Sequence, residues 1–199
     1  AKKRITTYMS GGMALAESSP RYAVTDPGWK AETPHHGPPV EAGILQLYNR
    51  GDRRRWYWSC LHCGEAFEAP ALPSFQEMPD PVEASRTAYV PCPNCGAIHS
   101  QEDRRALNLG GRWIRDGERE GRPAESTIAS FWLLGCAAAF QPWHSLALNW
   151  IRADKSYRET GSEESLRTTT QQDQGTPYLP RHLAASRKAT DLQARAEPL

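Results

Sequence analysis

Four of the five cysteines in this chain fall in two copies of one pattern, Cys60-Leu61-His62-Cys63-Gly64 and Cys92-Pro93-Asn94-Cys95-Gly96. Two Cys-x-x-Cys pairs supply four thiolates with the spacing a tetrahedral Zn²⁺ takes in structural sites. The glycine after each pair lets the backbone turn tightly enough for its amides to approach the sulfurs. The expectation is a structural zinc site on Cys60, Cys63, Cys92 and Cys95. Four thiolates close the coordination sphere and leave no position for water, which argues against a catalytic zinc. Two disulfides would need an oxidising compartment, and no run in the sequence reads as an apolar signal segment. A redox pair would use one Cys-x-x-Cys opening a helix, whereas here there are two, each followed by glycine. His62 and His99 lie beside the knuckles and stand as alternative ligands. Cys136, in the apolar run at residues 131–140, reads as a small buried hydrophobe.

Three other stretches carry groups that could act on a ligand. Arg53, Arg54 and Arg55 run straight into Trp56-Tyr57-Trp58, and arginines beside aromatics can stack on and clamp a nucleic-acid strand. The plainer reading is a hairpin whose aromatics cover a small metal core while its arginines face water. Ser18-Ser19-Pro20 ends a short apolar run. In an α/β nucleotide enzyme, a hydroxyl-bearing turn at the C-terminal end of a strand faces the ligand crevice; otherwise it is a strand-ending turn. His35-His36 sits in a proline-rich loop and reads as solvated. No Gly-x-x-x-x-Gly-Lys-[Ser/Thr] motif is present, no lysine directly follows a glycine, and no carboxylate cluster has a two-metal pattern.

The elements that must position these groups are short. Sixteen prolines, fifteen glycines and a mean hydropathy of −0.67 in 199 residues predict a loop-rich chain with one modest core or two small ones. Arginine far outnumbers lysine, yet the net charge of +1 imposes no global preference for nucleic acid or membrane. No run is long enough for a transmembrane helix, so a soluble intracellular protein is expected. The chain opens on Ala1 and enters residues 5–8 as a strand begun halfway, which predicts a fragment of something longer. Residues 13–17 read as a buried strand, residues 24–43 as a proline-rich linker and residues 44–48 as a strand. Residues 66–68 and 88–91 read as the metal-stapled strands, with a loop over residues 70–81 between them. Ser100 caps a helix that Gly110-Gly111 ends, and Trp113-Ile114 is a short strand. Residues 127–140 should be core; residues 145–159 form a helix closed by Gly161; a polar helix follows over residues 162–172 and a helical tail over residues 183–196. No repeat of 20 to 50 residues is visible.

Taken in order, the set Glu17-Ser18-Ser19-Pro20, Val24-Thr25-Asp26-Pro27, Tyr48-Asn49-Arg50-Gly51-Asp52, the three arginines, the two cysteine knuckles, Gly111-Arg112-Trp113, Ser130-Phe131-Trp132, Pro142-Trp143 and Gly175-Thr176-Pro177-Tyr178 resembles the lambda-type large terminase subunit of tailed phages. The resemblance departs at residues 168–173, a polar run where that family has an aromatic and an asparagine.

The resemblance implies a mixed α+β fold: a four-cysteine zinc ribbon between a partial α/β ATPase edge and a helical nuclease lead-in. The implied divisions are residues 1–43 (end of a P-loop ATPase domain and linker), 44–99 (zinc ribbon), 100–180 (connector leading to the nuclease) and 181–199 (tail). It implies a DNA-packaging motor that translocates DNA with ATP and cuts concatemeric DNA with a metal-dependent nuclease. Ser18 and Ser19 would be the motif coupling hydrolysis to motion; Arg53, Arg54, Arg55 and Trp56 stand as the candidate DNA contact on their own residue types, apart from the resemblance. Zn²⁺ would be structural, with ATP and Mg²⁺ used only by the full-length protein. The implied partners are double-stranded DNA, the small subunit and the portal, with no membrane, in the host cytoplasm. This stretch lacks both catalytic centres and is expected to be inactive alone. The alternative is a stand-alone zinc-ribbon DNA-binding or adaptor protein.

Overall fold

The computed structural model describes residues 12–183. The strand expected at residues 5–8 and all of the expected tail helix beyond Leu183 lie outside the described residues. Strand β1 (Arg54–Ser59) is the hub. β2 (Ala66–Glu68) returns antiparallel to it across the first cysteine knuckle, with Ser59 opposite Ala66 and Tyr57 opposite Glu68. β3 (Val90–Pro91) and β4 (Ile98–His99) form a second antiparallel hairpin around the second knuckle. β5 (Arg112–Ile114) pairs antiparallel with β1, and β6 (Phe131–Trp132) runs parallel to it. Tyr57 has both Glu68 and Arg112 as partners, and Arg55 both Ile114 and Trp132. One edge of β1 is therefore held by β5 and the other by β2 and β6 in succession.

The helices pack around this sheet. α1 (Ile44–Asn49) occupies the stretch read as a strand. Leu45 and Tyr48 are its buried residues, and their three-residue spacing is that of one helix face, so packing decides over the β-branched Ile44. α2 (Pro81–Arg86) follows directly on the expected loop; Asp80 accepts the Val82 N–H at 2.9 Å, and Pro81 starts the first turn. Ser100 and Asp103 form a reciprocal capping box before α3 (Arg104–Leu109), which ends at Gly110. α4 (Trp143–Thr160) carries the expected long helix and stops at Gly161, whose φ of 74° is left-handed. α5 (Glu164–Thr168) continues into a π turn over Thr169–Asp173.

The main core joins Trp58, Phe67, Val90 and Leu107 to Cys136, Ala137, Trp143 and Leu146, with Cys60 and Cys92 at its margin. Cys136 is fully buried, as its surroundings predicted. Three further expectations are corrected. Residues 13–17 are no buried strand: Met13 and Leu15 are each 84% exposed, and no strand among the described residues lies alongside to complete a ladder. Within residues 127–140, Ser130 and the stretch from Gly135 to Ala138 are buried, whereas Phe131, Leu133 and Phe140 are exposed. His35 is not solvated; it is 3% exposed, with ring nitrogens 2.9 Å from the Arg53 carbonyl and 3.0 Å from the Tyr57 hydroxyl.

Candidate metal centre

Each knuckle is a copy of the same backbone turn. The Gly64 N–H donates to the Cys60 carbonyl and the Cys60 N–H to the Glu65 carbonyl, at 2.9 and 3.0 Å; Gly96, Cys92 and Ala97 repeat this at 2.9 and 2.8 Å. Gly64 and Gly96 both sit at φ 73°, where a side chain would be strained. The two turns face each other, and the four sulfurs all lie within 4.8 Å of one another. Cys60 and Cys95 are 3.8 Å apart and Cys63 and Cys92 3.9 Å, and all four thiols are free. Metal–sulfur bonds of about 2.3 Å in a tetrahedron put their sulfurs about 3.8 Å apart. The donor set thus fits one thiolate-binding ion. Cys60 and Cys92 are buried, while Cys63 and Cys95 face solvent.

The surroundings act in opposite directions on the two outer thiols. The Asn94 side-chain amide donates to the Cys63 sulfur at 3.5 Å and, with the Glu65 backbone, pulls that thiol down to about 6. At Cys95 the Ala97 backbone N–H lowers the thiol, but burial and the sulfurs of Cys63, Cys92 and Cys60 outweigh it and push it up to about 12. Four thiolates this close repel one another unless a cation shares them. The His62 N–H and His99 Nε2 each lie 3.4 Å from the Cys60 sulfur.

The other anticipated residues are placed differently. Ser18 and Ser19 are exposed, the Ser18 hydroxyl donating to the Ser19 carbonyl at 3.0 Å. Arg53, Arg54 and Arg55 all reach carboxylates of this chain: Asp116 at 2.7 Å, Asp52 at 2.7 Å and Glu68 at 3.2 Å. Arg55 is buried, 3.7 Å from the Trp132 ring centroid, and donates to the Tyr48 hydroxyl at 3.0 Å. Burial pushes the Tyr48 phenol up, so it stays neutral and donates to the His35 carbonyl at 2.9 Å. Trp56 lies edge-on to Trp113 across β1 and β5.

The sequence reading placed Asp52 and Ser130 among its ordered motifs but gave no role to them or to Asp116. Asp116 accepts from Arg53 and the Thr33 hydroxyl; Asp52 accepts from Arg54 and the Ser130 N–H. One signal was available. Side chains alternate along a strand, so consecutive arginines cannot all face water, and any that turns inward requires a carboxylate.

A family model of the phage terminase large subunit gpA ATPase domain matches residues 1–113, and one of the terminase large subunit gpA endonuclease domain matches residues 128–199. The chain belongs to the phage terminase large subunit gpA family. It is part of a DNA-packaging terminase large subunit, as the ordered motifs implied. No curated protein and no solved structure matches it. The two terminase regions are not separate bodies here. β6, inside the endonuclease match, is a strand of the sheet that β1 and β5 build inside the ATPase match. All four cysteines lie within the ATPase match, and the core beside them is completed by Cys136, Trp143 and Leu146 from the endonuclease match. Among the described residues no helix is long and apolar enough to cross a membrane.

Proposed function

We propose that Cys60, Cys63, Cys92 and Cys95 hold one structural Zn²⁺ in a zinc ribbon, and that this ribbon is the rigid joint between the ATPase and nuclease parts of the packaging motor. The observation that carries this reading is the four-sulfur cluster set against a core drawn from both family regions. When bound, the ion would tie the β1–β2 and β3–β4 hairpins together, where only short ladders and a small core otherwise join them. In the full-length subunit this joint transmits orientation, while ATP and Mg²⁺ act at centres that residues 1–199 do not carry.

Within that reading, the divisions of the chain are those implied by the sequence: the end of the ATPase domain and its linker over residues 1–43, the ribbon over 44–99, the connector over 100–180 and the tail beyond. Ser18 and Ser19 are the coupling motif; their exposure leaves them free to meet a nucleotide-bearing neighbour. DNA contact at the arginine stretch narrows to Arg54. Its side chain is 32% exposed and lies over the Phe131 ring, whereas Arg53, Arg55 and Trp56 are held as framework. Double-stranded DNA, the small subunit and the portal are the partners, met in the host cytoplasm.

Elemental analysis of the purified chain tests the first claim: about one zinc per chain is expected, and none sinks it. The second is tested in the full-length subunit. Cys60→Ser should uncouple DNA cutting from packaging while ATP turnover survives, and an unchanged coupling removes the joint. The chain of residues 1–199 alone should neither turn over ATP nor cut duplex DNA.

A further inference from the structure

The sulfur cluster has an inner and an outer side, and the inner side carries one side chain that the zinc reading does not use. His99 is fully buried, with Nε2 3.4 Å from the Cys60 sulfur. Its ring lies near-parallel to that of Phe67, at 13° and 6.0 Å between centroids, and tilted against that of His62 at 5.6 Å between centroids. Its other nitrogen, Nδ1, is buried and has no partner among the described residues. β4 pairs His99 with Val90, so the backbone fixes where this ring can sit.

We propose that His99 is a positioning residue of the metal centre, donating its Nε2–H to the metal-bound thiolate of Cys60 without being a ligand itself. The inference rests on the zinc-ribbon reading. The four sulfurs already stand at tetrahedral separations and fill the coordination shell, which leaves no position for a nitrogen. A neutral imidazole carries one N–H. A metal-bound thiolate has no proton to give, so the nitrogen facing it must be the donor, and the bare nitrogen is then Nδ1, the one with no partner. Four thiolates on a divalent ion carry an excess of two negative charges, and Cys60 places its share in the interior. N–H groups aimed at that sulfur spread the charge without admitting water. The His62 backbone N–H does so from the turn, and His99 from the core. Stacking on Phe67 holds the imidazole in the one orientation that serves.

The test uses the purified chain, stripped of metal under reducing conditions and titrated with Co²⁺, which is then displaced by Zn²⁺. His99→Phe keeps a ring on Phe67 and loses the donor; it should weaken Zn²⁺ binding by about 10- to 100-fold. His99→Gln keeps an N–H and should recover most of that loss. The Co²⁺ spectrum should show four sulfurs in the wild type and in His99→Phe alike. Equal affinity in the wild type, His99→Phe and His99→Gln overturns this inference alone. A three-sulfur, one-nitrogen spectrum in the wild type whose nitrogen is lost in His99→Phe overturns it by making His99 a ligand. Failure of the wild type to take up Co²⁺ or Zn²⁺ overturns the zinc reading and takes this inference with it. Should His99→Phe not fold, His99→Leu, which also lacks the donor, takes its place: a tenfold or greater loss that His99→Gln recovers supports the donor role, and equal affinity in the wild type and His99→Leu overturns it.

Discussion

Trp58 and Trp143 meet ring against ring at 6.0 Å, tilted by 41°, one from the ATPase-matched region and the other from the endonuclease-matched region. Both are fully buried. Each indole N–H is satisfied inside the chain, Trp58 donating to the Asn108 side chain at 2.7 Å and Trp143 to the Cys136 carbonyl at 2.8 Å. The contact places the seam between the two regions inside the main hydrophobic core, which also takes in Cys60 and Cys92.

Residues on the two sides should therefore unfold together. Trp143→Ala removes a fully buried indole and is expected to cost about 3–5 kcal/mol. Urea unfolding followed by tryptophan fluorescence and by far-ultraviolet circular dichroism should lose stability by the same amount. Two separated transitions would show that the seam is not shared.

Gly135 sits where three segments converge. A Cβ there would lie 2.5 Å from the Ala71 carbonyl oxygen and 2.8 Å from that of Asp173, both backbone atoms with little room to retreat. Gly135→Ala should cost about 1–3 kcal/mol from overpacking. Gly64→Ala meets open space and is strained only by its φ of 73°, so a loss of about 1–2 kcal/mol is expected. Chemical denaturation of both variants checks this, and a Gly135→Ala loss well below about 1 kcal/mol would show that the backbone at residues 71 and 173 can give way.

Asp116 gives the fold an acid limb. Burial alone would raise its carboxyl, but the Thr33 hydroxyl and the Arg53 guanidinium more than reverse this and hold it below the usual 3.8. A depressed carboxylate stabilises the folded chain fully above the unfolded value, and that contribution disappears as pH falls through the folded value. Asp116→Asn leaves Arg53 facing a neutral partner and should cost about 3–5 kcal/mol at neutral pH. The gap from wild type should narrow below about pH 4. Thermal midpoints from pH 7 down to pH 3 read this directly, and a gap that stays constant removes the ion pair as its cause.

Arg54→Ala, made in the full-length subunit, tests the narrowed DNA contact. It should weaken duplex binding at all sequences alike and lower the slope of log K against log salt by about one. An unchanged slope would take Arg54 off the DNA surface. Asp52 is the control to watch, because Arg54 holds it at 2.7 Å and its loss could loosen Ser130.

What the sequence determined by itself is whatever depends on near neighbours. The cysteine knuckles are set by spacing and by two glycines, α3 by the Ser100–Asp103 cap, and the end of α4 by Gly161, all within a few residues of the groups they act on. Asp80-Pro81 was an equally local signal, and α2 was within reach of the same reasoning. The tertiary structure decided the rest. Residues 44–48 became a helix because Leu45 and Tyr48 found one face to bury, and the apolar run at 13–17 stayed exposed because a strand needs a partner to be one. The fates of Arg53, Arg54 and Arg55 were set by Asp116, Asp52 and Glu68, two of them distant from their arginine in sequence, and the donor at the Cys60 sulfur by the placement of His99 on the opposite hairpin. Backbone caps and turns act over one turn of chain, whereas burying a charge or completing a ladder needs a group whose position only the whole fold supplies.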